Sequence, residues 1–206
     1  MKKVFTFIIV LFVVISGCRK SVDFDDLSYN FFVSTNLDQA ANFGSYKTFF
    51  ISDTVINIGG IGKDSLLTGP NAIQLVKVVK DNLIARGYTF APRTGNPDLG
   101  LIMSVIKDIN VVVSYYPGWW GGYYGGCYWY YYCYGYYYPW STVYTYTTGT
   151  VILNMYDLKN APVDHQFKGI WNVTGLGALG STSTNIQLGV DALNQGFEQS
   201  PYVKTN

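Results

Sequence analysis

Two stretches constrain the fold more than any others. In residues 99–116, Leu99, Leu101, Met103 and Val105 occupy every second position. In residues 140–157, Val151, Leu153 and Met155 alternate with Ile152 and Asn154. A period of two belongs to a strand with one face turned toward a core. Two such runs, one after the other, predict a long hairpin. A hairpin cannot bury its apolar face on itself, so the rest of the chain has to supply a covering layer.

The remaining segments supply it. Residues 29–34 and 46–51 are rich in aromatic and β-branched side chains and read as strands. Asn42-Phe43-Gly44-Ser45 reads as a turn between them. Residues 70–86 read as a helix: Pro70 suits its first position, Ala72, Val76, Val79 and Leu83 line one face, and Gly87 stops it. Residues 88–91 form a short strand, and Asn96-Pro97-Asp98 a turn. A last strand covers 166–174 and places Phe167, Gly169, Trp171 and Val173 on one face. A second helix spans 184–199, with Ile186, Val190, Leu193 and Phe197 inward, caps offered by Ser181, Thr182 and Ser183, and Pro201 beyond its end. The order β-β-α-β-β-β-β-α predicts an α+β sandwich: a mainly antiparallel sheet of about six strands with two amphipathic helices on one face.

The N-terminus is of another kind. Lys2 and Lys3 precede a twelve-residue run, 4–15, that carries no charge, and Ile15-Ser16-Gly17-Cys18 follows. This is the layout of a secretory signal. The run is shorter than the roughly 20 residues that cross a bilayer. The tetrad resembles the lipobox of bacterial lipoproteins, with Ile15 where Leu is usual. The resemblance implies cleavage after residue 17, diacylglycerol on the thiol of Cys18, and an acylated new N-terminus. Residues 18–27 would then form a short tether and 28–206 a single domain, held at the membrane of the cell envelope, with the outer membrane expected. Asp23, Asp25 and Asp26 loosely resemble the surface-export signals of some two-membrane bacteria, but a solvated tether is the better reading. Loss of Lys2 and Lys3 leaves 12 Lys and Arg against 13 Asp and Glu. No basic stripe exists, so nucleic acid is not an expected partner.

Several motifs then point to one family. They are Asn42-Phe43-Gly44-Ser45-Tyr46-Lys47-Thr48-Phe49, Asn96-Pro97-Asp98-Leu99, the stretch from Gly149-Thr150-Val151 through Met155-Tyr156-Asp157, and Phe167-Lys168-Gly169-Ile170-Trp171. In this order and spacing, together with the lipobox, they resemble the domain of unknown function 4136 family of bacterial lipoproteins. The resemblance implies a sheet-and-helix fold and brings no activity and no catalytic residues.

Residues 115–140 hold 12 of the 19 tyrosines, 4 of the 5 tryptophans and 6 glycines, without one charge or aliphatic side chain. They read as an aromatic insertion at the hairpin tip. Three uses are open: rings stacked on one another across an extended hairpin, a recognition surface for an envelope protein or a glycan, or rings seated at the membrane interface. The candidate surface comprises Tyr116, Trp119, Trp120, Tyr123, Tyr124, Trp129, Tyr131, Tyr137 and Trp140. Cys127 and Cys133 flank five residues in an oxidising compartment and are candidates for a disulfide, with free thiols or a metal as alternatives. Two thiolates with no His, Asp or Glu nearby do not complete a tetrahedral metal site.

Chemistry-bearing motifs are otherwise sparse. Gly175-Leu176-Gly177-Ala178-Leu179-Gly180 spells GxGxxG, but the second parallel strand that the dinucleotide motif needs after its helix is not in the sequence, so a loop before the last helix is the better reading. The only histidine, His165, adjoins Asp164 without a nucleophile-elbow serine. Asn172-Val173-Thr174 is a glycosylation sequon by spelling only. No carboxylate pair stands near the aromatic segment for glycosidase chemistry. The chain is therefore expected to be a non-enzymatic binding or scaffolding lipoprotein without cofactor or metal. The alternative is a hydrolase-like envelope enzyme whose site no motif reveals.

Overall fold

The computed structural model describes residues 32–60, 62–106, 112–114, 135–137, 139, 143–145, 149–177 and 182–206. Its elements, in chain order, are β1 (Phe32–Leu37), β2 (Thr48–Ile51), β3 (Val55–Asn57), β4 (Leu66–Leu67), α1 (Pro70–Ala85), β5 (Thr89–Phe90), β6 (Leu99–Ile106), β7 (Val112–Ser114), β8 (Gly135–Tyr137), β9 (Val143–Thr145), β10 (Thr150–Asp157), the single turn α2 (Ala161–Asp164), β11 (Gln166–Leu176) and α3 (Thr182–Glu198).

The expected hairpin is present. β6 and β10 pair antiparallel from Leu99↔Asp157 to Ile106↔Thr150. Past its end, β7 pairs with β9, from Val112↔Thr145 to Ser114↔Val143, as a separate two-stranded sheet. β11 adds antiparallel to β10, and β1 to β11. Of the first strand expected at 29–34, residues 32–34 lie in β1, which runs on to Leu37, and residues 29–31 lie outside the described residues.

The sheet has nine strands, more than the six expected, and is mixed. Its order is β1-β11-β10-β6-β2-β5, with β3 and β4 continuing beside β6 and β8 beside β11. The long strands are antiparallel, whereas β2 runs parallel to both β6 and β5. The cause is α1: a helix between two neighbouring strands carries the chain back to the starting end, so the strands it links run parallel. The two- and three-residue strands are too short to show a period in the sequence.

Both long helices pack on one face, as the sequence predicts. Ala72, Leu75, Val76, Val79 and Leu83 of α1 share a core with Val190, Ala192, Leu193 and Phe197 of α3 and with Leu101, Met103, Leu153, Met155, Trp171 and Val173 of the sheet. Each large apolar side chain buried there contributes about 1.5–3 kcal/mol. α3 lies close to β11 because two glycines permit it: a Cβ on Gly175 would meet Ala192 at 2.5 Å, and one on Gly196 would meet Val173 at 2.4 Å. The glycine-rich stretch that spells a nucleotide motif thus begins with a helix-packing residue.

One expectation about β11 needs correction. Phe167 and Gly169 do not share a face with Trp171 and Val173. The ladder with β10 shifts between Met155 and Tyr156, where Met155 faces Trp171 but Tyr156 faces Gly169. The extra residue reverses the alternation. Ile170 joins Trp171 in the helix-side core, while Phe167 is buried outside that core.

Candidate functional site

The family-like motifs, far apart in sequence, meet at one end of the sheet. Phe43–Ser45 form a short 3-10 turn that delivers Tyr46 inward. The Tyr46 hydroxyl donates to Asp157 Oδ2 at 2.9 Å, and Asn160 donates to both oxygens of the same carboxylate, from its Nδ2 at 2.6 Å and its backbone N–H at 3.0 Å. Asp98 accepts the backbone N–H groups of Lys47 at 2.6 Å and Thr48 at 3.2 Å, and its own N–H donates to Thr48 Oγ1 at 3.0 Å. The Lys159 ammonium donates to the Ser45 carbonyl at 2.8 Å. Burial, then the neighbouring Asp157 carboxylate, pushes the Tyr46 hydroxyl far above the usual tyrosine range. Burial likewise raises Tyr88, with Arg86 opposing it, and the Tyr88 hydroxyl donates to the Phe43 carbonyl at 3.2 Å. These groups satisfy one another. The arrangement clamps β2 and the 42–46 turn to β6 and β10, and burial beside Asp157 holds the Tyr46 hydroxyl protonated.

The second face of the sheet is unlike the first. Across β1, β11, β10 and β6 it presents Asn36, Asn172, Asn154 and Ile102 in one row and Ser34, Thr174, Ile152 and Ser104 in the next. Polar rows of this kind ordinarily face water. Here Asn154, Asn172, Thr174 and Ser104 are all buried, Ser104 completely. Asn172 is the hub. Its Oδ1 accepts from Asn36 Nδ2 at 3.2 Å and from Thr174 Oγ1 at 3.2 Å, while its Nδ2 donates to Asn154 Oδ1 at 2.8 Å and to the Leu153 carbonyl at 3.2 Å. Among the described residues the Ser104 hydroxyl has no hydrogen-bond partner. Ile106, Ile152, Tyr156 and Phe167 are buried on this side as well. Sequence reading missed these rows. The signal was present as Asn154, Asn172 and Thr174 on alternate positions of two strands, but its weight depends on burial and on cross-strand register.

Among the anticipated contact residues, Tyr137 is described. It ends β8, opposite Lys168 of β11 in a parallel pairing, and is 45% exposed. Gly135–Tyr137 therefore lie at the Gln166 end of β11, whereas β7 and β9 continue from the opposite end of the β6–β10 hairpin. Tyr116, Trp119, Trp120, Tyr123, Tyr124, Trp129, Tyr131 and Trp140 lie outside the described residues, as do Cys18, Cys127 and Cys133 and the segments 1–17 and 18–27.

His165 takes a left-handed backbone, φ 51°, at the turn into β11. Among the described residues no group of three or more His, Cys, Asp or Glu side chains could hold a metal ion. No described helix is long and apolar enough to cross a membrane.

Comparison with known proteins agrees with the motif reading. The family model described as Domain of unknown function (DUF4136) matches residues 33–202. A DUF4136 family protein from Bacteroides thetaiotaomicron, known from a crystal structure, is 32% identical with a TM-score of 0.73, over 86% of this chain and 99% of that one. The PelC dodecamer from Paraburkholderia phytofirmans is more distant: 15% identity and a TM-score of 0.37, over 86% of this chain and 100% of that one. A search of curated proteins returns no match.

Proposed function

This chain belongs to the DUF4136 family, whose description names no activity, and from its own residues we infer that it is a lipid-anchored protein of the bacterial envelope that binds or scaffolds without catalysis, using the aromatic segment 115–140 as its contact surface. The anchor rests on Ile15-Ser16-Gly17-Cys18 behind a basic and then apolar leader. The contact surface rests on one observation above all: a stretch with 12 tyrosines, 4 tryptophans and no charge, whose one described aromatic side chain, Tyr137, stands 45% exposed. Tyrosine and tryptophan bring large apolar area with a polar tip and dominate binding hot spots. An envelope protein or a glycan fits such a surface.

Two experiments test this reading. Cys18→Ala should move the protein from the membrane to the soluble envelope fraction and abolish incorporation of labelled palmitate; unchanged fractionation and labelling would remove the anchor. Crosslinking pull-downs from envelopes should lose specific partners when residues 117–134 are replaced by a Gly/Ser segment of equal length. Identical partner lists from both proteins would remove the segment from the function.

A further inference from the structure

Going beyond that reading and independently of it, we propose that β1 is an open edge to which a second copy of this chain adds, so that two sheets join antiparallel across a two-fold axis at Thr35. The open edge follows from the ladder. The Asp38 N–H donates to the Ile170 carbonyl at 3.0 Å, and the register runs from Leu37↔Trp171 to Phe32↔Leu176. In an antiparallel pair, the residues that exchange hydrogen bonds alternate. Asn36, Ser34 and Phe32 therefore bond to β11, while the N–H and C=O groups of Val33, Thr35 and Leu37 point away from it. Among the described residues these six groups have no partner, and β1 ends the strand order. Sheets ordinarily guard such an edge by shortness, charge, proline or a bulge. The opposite edge is guarded: β4 and β5 have two residues each, and the Lys80 ammonium stands 4.7 Å from the centre of the Phe90 ring. β1 has six residues, Phe-Val-Ser-Thr-Asn-Leu, with no charge and no proline. Just past its end, Asp38 is paired with Lys168 at 2.6 Å.

A second copy fits this edge. An uncharged strand meets its own image without repulsion, and a two-fold contact is made by one patch used twice. With the axis at Thr35, Thr35 faces Thr35 and Val33 faces Leu37, twice over. Each of these three pairs exchanges two hydrogen bonds, so every outward group of both strands is satisfied. A shift of two residues either way leaves Val33 or Leu37 opposite residues outside the strand. The side chains agree with the same register. Val33, Thr35 and Leu37 lie on the helix side, opposite Gly175, Val173 and Trp171, so Leu37, 37% exposed, gains the neighbouring Val33. On the other face Ser34 comes to stand beside Asn36, and the polar rows continue into the second sheet.

The test is sedimentation velocity of the full chain in detergent, with micelles in large excess over protein. An interface of one added strand is small and binds weakly, so dimers should appear at about 100 μM protein. Thr35→Lys places two like charges against each other, as does Thr35→Glu, and each variant alone should dimerise at least about tenfold more weakly. Mixing the two variants should restore a dimer that contains one copy of each, because only this register sets position 35 against itself. The amides of α1 and α3 should keep their protection from hydrogen exchange throughout. If the charged variants lose that protection, Thr35→Pro gives the comparison in a folded chain: the N–H it removes points outward, so every bond to β11 is kept. A chain that stays monomeric at about 100 μM protein overturns the proposal and leaves the edge to a strand of another protein. A dimer that the folded variants leave unchanged overturns it as well, and so does a mixture of charged variants that dimerises no better than its parts.

Discussion

Along β10, Val151, Leu153 and Met155 face the helices, while Ile152, Asn154 and Tyr156 face away, and all six are buried. The two sides reach burial by different means. The helix side is close-packed hydrocarbon: Trp171 is fully buried, its ring 4.9 Å from Phe197, its N–H donated to Ser200 at 2.9 Å. It is stabilised by burial of apolar area, which requires only the right shape and amount of surface. The far side holds carboxamides and hydroxyls that must find partners, because an unpaired buried polar group costs about 1–3 kcal/mol. The first side tolerates approximate chemistry with good volume; the second tolerates a smaller volume with good hydrogen bonding.

That contrast can be broken from either side. The largest effect is expected for Trp171→Ala, which removes the biggest side chain of the helix-side core and the indole N–H that donates to Ser200. A loss of about 3–5 kcal/mol should appear in urea unfolding, and a loss below 1 would mean that this core is loosely packed. Alkaline pH should weaken the same side next. Tyr46 and Tyr88 are held protonated by burial, Tyr46 also by Asp157, so above pH ~10 the unfolded chain sheds protons that the folded chain keeps. Stability is then whole below that pH and falls by up to about 1.4 kcal/mol per pH unit for each tyrosine above it. Tyr46→Phe with Tyr88→Phe should flatten the fall in a pH series of melting curves; an unchanged slope would assign the titration elsewhere.

On the second face, Asn172→Leu should cost about 1–3 kcal/mol although it adds apolar surface, because Asn36, Asn154 and Thr174 lose their common partner. A gain in stability from this change would show that the polar rows are dispensable. The smallest effect belongs to Ser104→Ala. Its hydroxyl has no partner among the described residues, so removal should change stability by no more than about 0.5 kcal/mol, or raise it slightly. Equal losses at positions 172 and 104 would erase the distinction between a hub and a bystander.

Much of the fold was legible before any coordinates. The period of two in 99–106 and 150–157 and the stripes of α1 and α3 are local signals repeated over eight or more residues, and they fixed the long elements and the face that the helices cover. What was not legible follows from scale. β3, β4, β5 and β8 have two or three residues each and exist because a longer strand offers them an edge. The bulge between Met155 and Tyr156 leaves no periodic trace in β11, so Phe167 was assigned to the wrong side. The clamp around Asp157 was half visible. Its residues were noticed as motifs, but that Tyr46, Asp98 and Asp157 approach one another is a fact of the folded chain alone.

The sequence by itself determined the class of the protein and the family to which it belongs, because alternation, helical periodicity and short motifs are properties of neighbours along the chain. Only the tertiary structure decided what the second face is. Asn154, Asn172, Ser104 and Thr174 spell an ordinary water-facing side of a sheet, and the same letters become a buried hydrogen-bonded layer once the fold removes the water. Burial and cross-strand partnership are set by residues distant in sequence, and they change the energetic meaning of a polar side chain from neutral to decisive.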